Sequence, residues 1–175
     1  MTPHPRQNFR YRLVFADACL LTCALTCVAT QALGTPGDAV QLQLQARLFR
    51  SATGSFSADV LAPGGPELVN VVASQDPSTA TLVVVAVKLA AGTVLRSDTP
   101  LRLTVREQAP RTGAQRVMLD RSLSVGALPR GGTAHLAFWL QGTGCRPLHL
   151  QVRLAMAGSA APLSAAATLP FACGE

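Results

Sequence analysis

Charge is scarce in this chain. Only 14% of its 175 residues are Asp, Glu, Lys or Arg, about half the usual share. That argues against a coiled coil or a highly charged nucleic-acid tail. Aromatic residues are scarce too, at 5%, which leaves few platforms for stacking bases or sugar rings. Lys88 is the one lysine; the other basic residues are arginines. Histidine occurs three times, at His4, His135 and His149. No G-x-S-x-G, H-E-x-x-H or P-loop pattern is present. What is abundant is apolar: 49% of the residues, far too many for an intrinsically disordered chain.

The five cysteines are an odd number for an exported protein, where thiols tend to pair. Their placement resolves the oddity. Cys19, Cys23 and Cys27 fall within an apolar stretch, residues 13–33, that follows the basic residues Arg6, Arg10 and Arg12. A basic start, an apolar core and small residues beyond it form the layout of a secretory signal peptide. The core from Ala18 to Ala29 is 12 residues long, short of the roughly 20 that span a membrane. Residues 1–34 are therefore expected to be a signal peptide, with an uncleaved anchor as the rival reading. Residues 35–175 are expected to form a single domain in the periplasm or outside the cell. Neither Cys23 nor Cys27 has the small residue before it that acylation needs. Cys145 and Cys173 then remain and are expected to form one disulfide.

From Thr35 onward the chain alternates. Val40 to Leu48 places Val40, Leu42, Leu44, Ala46 and Leu48 on one face and Gln41, Gln43, Gln45 and Arg47 on the other. That period of two marks a half-buried strand. Residues 101–106, 135–141 and 148–156 repeat it. Residues 117–125 follow it less cleanly, with Arg121 interrupting the apolar face and suggesting a bulge or bend. Thr81 to Leu89 is a nearly continuous apolar run rich in β-branched residues, which predicts a strand buried on both faces. Residues 67–74 and 168–172 are further candidates, and Ala160 to Thr168 reads as a loop. Gly- and Pro-rich turns separate these runs. Seven to eight strands in this length predict an all-β, antiparallel immunoglobulin-like β-sandwich, with a small barrel or jelly roll as the alternative. Residues 123–154, with the Leu128-Pro129-Arg130-Gly131 corner, resemble exported bacterial immunoglobulin-like modules in pattern. That likeness reaches the fold and no function.

The functional expectation is a non-enzymatic binding, assembly or accessory protein of the periplasm or cell surface, needing no cofactor. Its partner would be another envelope or surface protein. Nucleic acid is disfavoured, and membrane contact would come only through a retained signal segment. Without residues 1–34 the chain keeps 12 basic and eight acidic residues, a net charge of about +4. Arg102, Arg106 and Arg153 fall on outward strand positions and could face an anionic partner. Phe138 and Trp139 point to opposite faces, so one is expected in the core and the other at an interface. Two alternatives carry different chemistry. Cys145, His149, His135 and Met156 are the residue types of a blue-copper site, although His149 and Met156, seven apart in one strand, would face opposite ways. A hydrolase with an unrecognised triad is the other, since triads are defined by geometry and not by sequence position.

Overall fold

The computed structural model describes residues 39–109, 112–159 and 161–174. The signal-peptide reading of residues 1–34 lies outside them. The described residues contain eight strands and no helix. The strands are β1 (Val40–Arg50), β2 (Ser55–Phe56), β3 (Ala80–Leu89), β4 (Thr99–Gln108), β5 (Gln115–Val125), β6 (Thr133–Gln141), β7 (Leu148–Leu154) and β8 (Leu163–Leu169). They form two four-stranded antiparallel sheets, ordered β2-β1-β3-β6 and β5-β4-β7-β8. We call these sheets I and II.

The alternation explains why the sheets stack. Every second residue of β1, β3 and β6 points inward, and the cross-strand register aligns them. Leu42 pairs with Val87, Ala46 with Val83, and Val83 with Phe138. Sheet II answers with Leu101, Leu103 and Val105 on β4 and Leu150, Val152 and Leu154 on β7, all of them buried. Each such side chain contributes about 1.5–3 kcal/mol by leaving water. One continuous core results.

Several expectations need correction. Residues 67–74 do not form a strand; they carry only a single parallel bridge between Val69 and Ala172. The last strand is Leu163–Leu169, so the alanine-rich stretch expected to be a loop is mostly strand. Its helix propensity loses to tertiary pairing with β7. Pro162 and Pro170 lie just outside the strand, where no ladder donor is required.

The irregularity in β5 is displaced from Arg121. Arg121 stays in register opposite Leu103. The register instead shifts where Val105 faces Leu119 and Arg106 faces Val117, which leaves Met118 as the extra residue. That bulge flips the parity of everything before it. Val117, expected beside Leu119 on the apolar face, therefore faces outward and is 53% exposed.

The predicted double-sided burial of β3 holds in part. Ala86 is buried on the outer face, whereas Leu82 and Val84 are half-buried.

Candidate functional site

The outer face of sheet I is unusual for a surface. Its β1 row is Gln41, Gln43, Gln45, Arg47 and Phe49. The β3 row opposite is Lys88, Ala86, Val84, Leu82 and Ala80. On β6 the matching row is Thr133, His135, Ala137, Trp139 and Gln141. The centre is thus apolar. Arg47 and Lys88 are its formal charges, and no carboxylate stands in any of the three rows.

At one end of this face three rings meet edge to face. Phe49 lies 5.5 Å from Phe56 and 5.5 Å from Trp139, and Phe56 lies 6.1 Å from Trp139. The register produces the cluster. Phe49 pairs with Phe56 on one side and Ala80 on the other. Ala80 is too small to separate Phe49 from Trp139, which stands opposite Leu82. Phe56 is 44% exposed and Trp139 43%. Edge-to-face packing adds about 0.5–1.5 kcal/mol per pair, yet much of the ring surface still faces water. Phe138, its neighbour in sequence, is buried in the core. Trp139 is therefore the outward member of the pair. Phe49 and Phe56 were not anticipated as site residues. Phe49 was legible, since it continues the outward row of Arg47 and the glutamines. Phe56 was not, because β2 is two residues long.

The three arginines singled out in the sequence lie on the opposite side of the sandwich. Arg102 and Arg153 are cross-strand partners on the outer face of sheet II, and Arg106 is opposite His149. Trp139 and these arginines cannot contact one flat partner surface together. Arg102 is already engaged. Its Nε donates to Oδ1 of Asp120 at 2.6 Å and its Nη2 to Oδ2 at 2.5 Å. That forked bond, together with the charge of the guanidinium, holds the Asp120 carboxyl below its ordinary range and raises Arg102. Arg106 and Arg153 are exposed. His149 is tied down on both sides: Nε2 donates to Gln108 Oε1 at 2.7 Å, and Nδ1 is hydrogen-bonded with the Thr168 hydroxyl at 3.2 Å.

Cys145 and Cys173 are bonded, closing a separation of 28 residues. This takes Cys145 out of the set of free thiolates that a blue-copper site requires. His135 and His149 lie on different sheets. Among the described residues no three of His, Cys, Asp and Glu gather as a metal site.

A groove of about 320 Å³ opens beside the end of β1, lined in part by Arg50, Glu67 and Asp76. Oδ2 of Asp76 faces Arg50 Nε at 3.4 Å, and its buried Oδ1 has no hydrogen-bond partner among the described residues. A partly exposed ion pair of this kind defines no chemistry alone.

No family model matches the chain, and no curated protein matches it.

Proposed function

We propose that this protein is exported and acts by binding another protein of the envelope or cell surface through the outer face of sheet I. One observation carries the reading. Three aromatic rings cluster on a sheet face with two of them more than two-fifths exposed. Exposed aromatic clusters over an apolar bed are the anchors of protein interfaces.

Export rests on the basic-then-apolar layout of residues 1–34, which we read as a cleaved signal peptide. The bond between Cys145 and Cys173 is compatible with an oxidising compartment. We assign the sandwich to the immunoglobulin-like type. Chain crossings between sheets after β3, β5 and β6 support a Greek-key connection of that kind.

The test is a chemical cross-linking pull-down from envelope extract with the exported protein and its Trp139→Ser variant. Recovery of one stoichiometric protein by the first and its loss with the second is expected. Equal recovery by both would overturn the assignment of the binding face.

A further inference from the structure

A sheet edge displays unpaired backbone donors and acceptors, and folded proteins usually guard it. Three of the four edges here are guarded. On β5 the guards are the bulge at Met118 and the exposed arginines Arg116 and Arg121, the latter on a core-facing position. On β8 they are its short span between Pro162 and Pro170 and its low-propensity alanines. The β1 edge is sheltered by β2 and then by side chains acting as strand mimics. Ser57 Oγ accepts from the Leu48 N–H and Asp59 Oδ1 from the Ala46 N–H, both at 2.9 Å.

β6 has none of these devices. Its nine residues, TAHLAFWLQ, include no proline, no glycine and no Lys, Arg, Asp or Glu. Its backbone pairs with β3. Among the described residues no hydrogen bond reaches it from the other side.

The strand is also self-complementary. Thr133–Gln141 is centred on Ala137, so an antiparallel two-fold copy overlaps along all nine residues. Leu136 then meets the partner's Phe138, and Ala134 the partner's Leu140, on the core side. His135 meets the partner's Trp139 on the outer side. No like charges oppose one another anywhere along the seam. Stacking the outer faces of sheet I would be the other symmetric arrangement. It would cover Arg47 and Lys88 of both copies in a seam without a carboxylate in the three rows, so the edge is the favoured seam.

We propose that β6 is a self-pairing edge. Two copies join antiparallel along Thr133–Gln141 about a two-fold axis at Ala137, making sheet I continuous over eight strands. This isologous contact closes after two copies and places both aromatic clusters on the same side. It does not depend on the binding reading above.

The experiment uses the protein recovered after export of the full chain. Light scattering after size exclusion should give twice the chain mass, and Ala137→Lys should return it to the monomer. Register is read by cysteine cross-linking under mild oxidation. In the antiparallel pair, position 137 lies about 4.5–5.5 Å from its copy, within disulfide reach. Position 133 lies roughly 27 Å from its copy. Ala137→Cys should therefore form a covalent dimer, whereas Thr133→Cys should remain monomeric in reducing-agent-free gels. A wild-type monomer at all accessible concentrations would overturn the proposal. So would open-ended aggregates, a dimer indifferent to Ala137→Lys, or equal cross-linking at 133 and 137.

Discussion

Phe49 and Trp139 stand on strands separated by β3, yet their ring centroids are 5.5 Å apart. The contact spans a strand because Ala80 and Leu82 lie beneath it. Two large rings thereby shield a central strand that carries apolar residues on its outer side. The arrangement stabilises the sheet, and it also leaves ring edges and faces available to a partner.

This contact should be measurable as a coupling. A double-mutant cycle of Phe49→Ala and Trp139→Ala is expected to give about 0.5–1.5 kcal/mol of interaction energy in urea unfolding. Trp139 is the only tryptophan, so its fluorescence reports this face alone. Emission should shift to the blue when a partner covers it and stay unchanged if the partner binds sheet II.

The disulfide should contribute strongly to stability. A loop of 28 residues corresponds to about 3–4 kcal/mol in the chain-entropy treatment. Replacing Cys145 and Cys173 together by serine should lower the unfolding free energy by about that amount, read from denaturant midpoints at constant slope. The intact protein should bind no thiol reagent at these two positions.

Glu107 should show an asymmetry between its own removal and that of its partners. It is a buried side chain whose Oε2 accepts from Arg116 at 2.9 Å and Arg146 at 3.3 Å. Both arginines are largely exposed and can return to water. Glu107→Gln should therefore cost about 1 kcal/mol or less. Arg116→Ala with Arg146→Ala strands a buried carboxylate and should cost about 3 kcal/mol. Equal losses in the thermal melts of the two variants would show that the ion pairs are only decorative.

Asp120 sets a pH dependence with a defined sign. Arg102 lowers its folded pKa beneath the ordinary 3.8. Its contribution is therefore fully present above that value and is lost as pH falls through the lower folded pKa. The difference in melting temperature between wild type and Asp120→Asn should be constant near neutrality and vanish in strong acid. Because the pair is at the surface, added salt should shrink it.

Alternation alone was enough to locate most of this fold. The outward glutamines of β1, the arginines of β4 and the inward leucines of β7 are all legible at period two, because a strand facing water on one side has no other solution. The disulfide followed from counting, once three cysteines were assigned to the N-terminal segment. Other features were decided by pairing. Met118 became a bulge only when β5 met β4, and that single residue sent Val117 outward. The alanines before Leu169 became a strand because β7 offered an edge to them. Phe49, Phe56 and Trp139 became one cluster because antiparallel register brought positions 49, 56, 80, 82 and 139 together. The apolar faces of β1, β4 and β7 were written in the sequence alone, since periodicity is local. Which residues from distant strands share a face, and which edge stays open, was decided by the tertiary structure, since register and strand order depend on contacts far apart along the chain.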